Sequence, residues 1–151
     1  MSSPSSDSPA VPPMPHTVYF HFWALSRTVR ASAAEALAEL DISLDDFGLL
    51  TIIQSEGPLS MSALSKQAHL AQSTLTMAAK KLMRKGWCEQ ERSPDDARQK
   101  LIRVTPLGEE LLETGCAEMR RREAEILGAA RTNRASVIER IRGLRDMFPG
   151  G

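Results

Sequence analysis

The stretch Gln72-Ser73-Thr74-Leu75-Thr76-Met77-Ala78-Ala79-Lys80-Lys81-Leu82-Met83-Arg84-Lys85-Gly86 decides the fold. Leu75, Ala78 or Ala79, and Leu82 recur at helical spacing, so one side of the segment is apolar. Gln72, Ser73, Thr74 and Thr76 are then left facing outward. Gly86 suits the left-handed position after a helix, and Lys85 complements the negative end of the helix dipole. Just upstream, Ser60 can cap a short helix whose apolar side is Met61, Leu64 and Ala68. Two short helices so close together, the second polar at its start and basic later, have the arrangement of a helix-turn-helix.

The flanks complete this unit. Trp87–Glu91 and Lys100–Val104 read as short strands around a charged loop in which Ser93-Pro94-Asp95-Asp96 supplies turn chemistry, so a β-hairpin is expected. Thr105-Pro106 opens a long helix running to about Arg131, with Thr as cap and Pro at the first helical position. Asn133 starts a last helix with Val137, Ile141, Leu144 and Phe148 as a stripe, ended by Pro149-Gly150-Gly151. Toward the N-terminus, Thr17 caps a helix carrying Val18, Phe22, Leu25, Val29, Ala36 and Leu40. Ser43 caps the next, with Asp45 and Asp46 in its first turn and Phe47, Leu50 and Ile53 on its apolar side, up to the stop at Gly57-Pro58. The expected fold is mainly α with a small β-hairpin wing. Residues 1–16 read as a disordered tail, 17–41 as an N-terminal dimerisation helix, 42–105 as a winged helix-turn-helix, and 106–151 as C-terminal dimerisation helices.

Composition sets limits. The chain has 151 residues, 25% of them charged, with 19 basic and 19 acidic groups and no net charge. It contains no apolar run long enough to span a bilayer, and Met1–Pro15 lacks the features of a signal peptide. Its two unpatterned cysteines, Cys88 and Cys116, do not make a disulfide framework, and a reducing cytoplasm is the expected compartment. The charge is unevenly spread: residues 61–104 hold nine basic and four acidic groups, whereas residues 1–60 hold two and seven.

That bias, together with the helix-turn-helix, points to double-stranded DNA. Gln can pair with adenine, and short hydroxyl side chains can reach base edges. Lys80, Lys81, Arg84 and Lys85 on later turns could meet phosphates; the hairpin adds Arg92, Arg98 and Lys100, and an extended arginine there could enter a narrow minor groove. Asp96 is expected to accept from the Arg98 guanidinium and hold it extended.

From Ile42 to Gly115 the chain resembles the core of the MarR family of bacterial transcription regulators. The matching pieces are Gly57-Pro58-Leu59-Ser60-Met61-Ser62-Ala63-Leu64, Gln72-Ser73-Thr74-Leu75-Thr76, Leu82-Met83-Arg84-Lys85-Gly86-Trp87, Arg92-Ser93-Pro94-Asp95-Asp96-Ala97-Arg98 and Val104-Thr105-Pro106-Leu107-Gly108. The resemblance implies a homodimer interlocked through first and last helices, a pseudo-palindromic operator, and release by a small aromatic or phenolic effector in a cleft between the dimerisation and DNA-binding parts. It marks Ser62, Gln72, Ser73, Thr74, Thr76, Met77, Lys80, Lys81, Arg92, Asp96, Arg98 and Lys100 as the DNA-contacting set. Met77 stands where the family often has arginine, and no cysteine occurs in the first helix, where the family's peroxide sensors carry one.

Val18, Phe22, Leu25, Val137, Ile141, Leu144 and Phe148 are the expected dimer contacts. Tyr19, His21, Trp23 and Arg27 could hold a phenolate or carboxylate effector; the simpler reading makes the aromatics dimer core and Arg27 a surface charge. His16, His21 and His69 show no metal spacing with either cysteine, and neither metal nor cofactor is expected. Motifs for catalysis are lacking, so an enzyme is not expected. A winged-helix protein-interaction module that never reads DNA is the competing reading.

Overall fold

The computed structural model describes residues 17–96 and 98–147. The expected tail at residues 1–16, Ala97, Phe148 and the Pro149-Gly150-Gly151 ending lie outside the described residues. Among the described residues six α-helices accompany a small sheet: α1 Val18–Leu37, α2 Leu44–Glu56, α3 Met61–Ala68, α4 Gln72–Arg84, α5 Pro106–Ala129 and α6 Arg134–Arg145. The strands are β1 Leu59–Ser60, β2 Cys88–Arg92 and β3 Lys100–Val104, antiparallel in the order β1-β3-β2. No helix among the described residues is long and apolar enough to cross a membrane.

Capping chemistry explains most of the boundaries. The side chains of Thr17, Ser43, Ser60, Thr105 and Asn133 each accept a hydrogen bond from a backbone N–H three residues on. Gly86 (φ 75°) ends α4 in the left-handed region, and Gly57 (φ 77°) turns the chain out of α2. Pro106 occupies the first turn of α5.

Three expectations need correction. The wing is a three-stranded sheet rather than a lone hairpin, because the chain leaving Gly57-Pro58 pairs Leu59 with Ile102 and Ser60 with Leu101. Two residues are too few to show alternation, so β1 carried no pattern. The first hairpin strand is Cys88–Arg92 rather than Trp87–Glu91, and its register sets Cys88 opposite Val104 and Arg92 opposite Lys100. The long helix stops at Ala129, two residues early, with Arg131 in the left-handed region (φ 51°). Val18, Leu25 and Val29, on the apolar stripe of α1, stand outside the protomer's core: they are 66%, 55% and 53% exposed, and α1 buries only Ala33, Ala36 and Leu37.

The core lies where α2, α4, the sheet and the start of α5 meet. Leu37, Leu50, Ile53, Leu64, Leu75, Leu82 and Ile102 are its most completely buried large side chains. Each contributes about 1.5–3 kcal/mol of hydrophobic stabilisation relative to an exposed position. Close approaches seat α5 on this core. A Cβ at Gly108 would stand 2.2 Å from the Trp87 carbonyl oxygen, and one at Gly115 would stand 2.4 Å from Phe47 Cε2. Thr105 reinforces the junction, its backbone N–H donating to Trp87 O and its hydroxyl to Gly86 O at 2.5 Å.

Because the Trp87 carbonyl is backbone and cannot rotate aside, Gly108→Ala should lower stability by about 1–3 kcal/mol, the usual range for forced overpacking. Gly128, with nothing within 4 Å of its would-be Cβ, is the control. Its alanine variant should be neutral or gain up to about 1 kcal/mol from helix propensity. Urea unfolding of the two variants checks both signs.

Candidate nucleic-acid interface

Helix α4 presents its faces unambiguously. Leu75, Ala79 and Leu82 are buried at 0%, 2% and 0% exposure, on the side packed into the core. Ser73, Met77, Lys80 and Arg84 repeat at the same helical intervals, offset by about half a turn, and all are exposed. Gln72, Thr74 and Thr76 are exposed on the flanks, as is Ser62 in the first turn of α3. Thr76 has used its hydroxyl proton on Gln72 O at 2.7 Å, and Thr74 lines a shallow groove with Leu49, Ile52 and Ala78. A Ser/Thr-rich helix start can be nothing more than a cap, but here the cap position is Ala71, which makes no side-chain hydrogen bond. The first-turn amides of α4 therefore point outward with no side chain closing them, a donor arrangement suited to phosphate.

The cations divide into two groups. Lys81 donates to Asp46 Oδ2 at 2.5 Å, and Asp46 is only 6% exposed. Asp46 also accepts from the Ser43 hydroxyl at 2.7 Å. Lys85 reaches Asp41 Oδ2 at 2.5 Å and lies 5.6 Å from the Trp87 ring; its ammonium holds the Asp41 carboxyl below the ordinary range. Arg103 pairs with Glu89 and, at 2.9 Å, with Glu91 across the strands. Lys81 and Lys85, both read from sequence as phosphate contacts, are thus engaged within the protomer, and Lys81 braces α4 against α2. Lys66, Lys80, Arg84, Arg92, Arg98 and Lys100 are exposed and make no ion pair among the described residues.

The wing tip differs from expectation. Asp96 Oδ1 accepts from the Arg98 backbone N–H at 2.9 Å, not from the guanidinium. Gln99 N–H donates to Asp96 O, and Ser93 N–H to Gln99 O, each at 2.9 Å, so the loop is closed by its own backbone. Asp96 shapes the turn, and the Arg98 side chain is left exposed.

Of the four residues considered for an effector, Tyr19 is 75% and Trp23 56% exposed, and Arg27 stacks 5.3 Å over the Trp23 ring. His21 is exposed, and none of the four lines either the α2–α5 cleft or the groove between α1, α5 and α6. The first of these, a cleft of about 450 Å³, is bounded by Thr51, Gln54, Glu109, Leu112, Cys116 and Arg120. Sequence reasoning missed it because its lining is dispersed over two helices. Arg122 of α5 reaches Glu35 of α1 at 3.1 Å, while Arg121 pairs with Glu118 and Glu125 of its own helix. No group of three potential metal ligands occurs among the described residues.

A helix-turn-helix with an antiparallel wing defines a winged helix-turn-helix. Residues 42–100 match the model of the MarR family, a stretch that lies within the winged-helix unit. The chain is 36% identical over 74 residues to the uncharacterized HTH-type transcriptional regulator YdgG of Bacillus subtilis, a match covering 48% of this chain and 49% of that protein. It thus spans about half that relative's length. The fold matches that of a mutant MarR from E. coli complexed with operator DNA (TM-score 0.69, 21% identity, covering 88% of this chain and 99% of that one). It also matches CouR from Rhodococcus jostii RHA1 bound to p-coumaroyl-CoA (TM-score 0.75, 16% identity, covering 89% and 92%).

Cys88 is 3% exposed, and burial pushes its thiol up to about 12, so at neutral pH it stays protonated and unreactive. Cys116 borders the open α2–α5 cleft. Iodoacetamide at pH 8 should therefore alkylate Cys116 well before Cys88 in the folded protein, and peptide mass spectrometry reads the order directly.

Proposed function

We propose that this chain is a DNA-binding transcriptional regulator that works as a homodimer, represses by occupying a pseudo-palindromic operator, and answers to a small-molecule effector. One observation carries the reading: once internal ion pairs are subtracted, the exposed cations of residues 61–104 lie on α3, the outer face of α4 and the wing. Helix α4 enters the major groove, with Gln72, Ser73, Thr74, Thr76 and Met77 near base edges, Lys80 and Arg84 toward phosphates, and Ser62 supporting from α3. Arg92, Arg98 and Lys100 carry the wing to the neighbouring minor groove. The operator complex of the mutant E. coli MarR, which shares the fold, supports this.

The proposed division is residues 17–41 and 106–151 for dimerisation and 42–105 for DNA. Val18, Tyr19, Trp23, Leu25 and Val29 of α1, Ile126 of α5, and Ile141 and Leu144 of α6 are exposed apolar side chains. Helix α6 buries none of its residues in the protomer. A second copy covering this face supplies the missing burial. For the effector, the α2–α5 cleft is better supported than the α1 quartet, because it is concave and lies between the dimerisation helix and the winged unit. The p-coumaroyl-CoA complex of CouR supports an organic ligand in general terms.

Two experiments test the reading. Binding to an operator fragment should weaken steeply with salt, and Arg98→Ala should raise Kd about 10- to 100-fold, as loss of a groove-inserted arginine does. Promoter DNA whose gel mobility is unaffected at moderate salt would favour the protein-interaction module instead. Light scattering should give twice 16.6 kDa for the native chain, and Ile141→Asp should shift it toward the monomer.

A further inference from the structure

Met77 is 67% exposed, and among the described residues it is the one large apolar side chain of α4 that faces away from the core. Its position is central rather than marginal. Ser73 lies one turn before it, and Lys80 and Arg84 continue the same stripe, directly opposite buried Leu75, Ala79 and Leu82. The polar and cationic neighbours leave Met77 isolated from the exposed apolar residues of α1, α5 and α6, so it does not extend that surface.

On the regulator reading, on which this inference rests, that stripe faces the major groove. There the four base pairs differ in hydrogen-bond pattern, and only thymine adds an apolar group, its C5-methyl. A thioether has no proton to donate, so against guanine or adenine it would strip water from N7 and O6 or N6 without replacing those bonds. Thr76, next to it, has its hydroxyl proton tied to Gln72 O and cannot make up the deficit. An unbranched, flexible side chain adapts well to a methyl at imperfectly fixed distance. We infer that Met77 is a specificity-determining residue that selects thymine at one position in each half-site by contact with the 5-methyl group.

The test uses the full chain and a duplex it enriches from a random double-stranded library. Each thymine of that duplex is replaced in turn by deoxyuridine, which removes the methyl and keeps the base pair. In the wild type, one substitution per half-site should raise Kd about threefold to tenfold, the scale of a lost buried methyl. Met77→Ala, at an exposed position, should keep its helical circular dichroism and melting temperature and bind the thymine and uracil duplexes equally. Reselection with Met77→Arg should replace that thymine by guanine. The inference is overturned if no uracil substitution weakens binding, or if the penalty persists unchanged in Met77→Ala. Failure of the wild type to enrich any duplex would instead overturn the regulator reading and this inference with it.

Discussion

The rotation of α4 about its own axis is the constraint on which the rest depends. Three buried side chains, Leu75, Ala79 and Leu82, set it, because turning the helix by even a quarter-turn would pull two leucines out of the core. Two ion pairs hold the same setting from the flank. The Lys85–Asp41 pair is exposed on its acidic side and worth little in isolation. Lys81–Asp46 is different in kind: its carboxylate is buried, and an unpaired buried charge costs several kcal/mol. Asp46 also sits in the capped first turn of α2, so that helix and α4 share one anchoring group.

Internal pairing also explains how a chain of zero net charge can have a markedly basic face. The acids that border α4 are consumed by Lys81 and Lys85, and those on β2 by Arg103. Asp45 is likewise bridged to Arg30 by two hydrogen bonds of 2.8 and 3.1 Å, which hold its carboxyl below the usual range. The remaining cations stand in water, where their field reaches about a Debye length. Neutrality and a steering potential are therefore compatible, since one describes a sum and the other a distribution.

What could be read from residue order alone follows from the range of each interaction. Caps act over three residues, and Thr17, Ser43, Ser60, Thr105 and Asn133 were all legible for that reason. The buried side of α4 was legible because its period is regular. Strand β1 was not, since two residues facing Leu101 and Ile102 carry no period of their own. Lys81 and Asp46 are 35 positions apart, and nothing local distinguishes Lys81 from Lys80 beside it. The preference of Asp96 for a main-chain amide over a guanidinium was also hidden, because it depends on how the loop backbone curls. The apolar stripe of α1 was visible, and Val18, Phe22 and Leu25 were read from it as contacts to a second copy.

Helix α5 runs unbroken from the wing to the far end of the molecule, beginning at Thr105, which is bonded to Gly86 and Trp87 just past the end of α4. Its 24 residues make a rod of about 36 Å at 1.5 Å per residue. Tilting the part of this rod beyond Gly115, about 21 Å long, by about 5° moves its distal end by about 2 Å. Gly108 and Gly115 press it so closely on Trp87 and Phe47 that it has no slack in which to absorb the motion. Small changes at either end are thus transmitted as leverage, with the crowded glycines as the fulcrum.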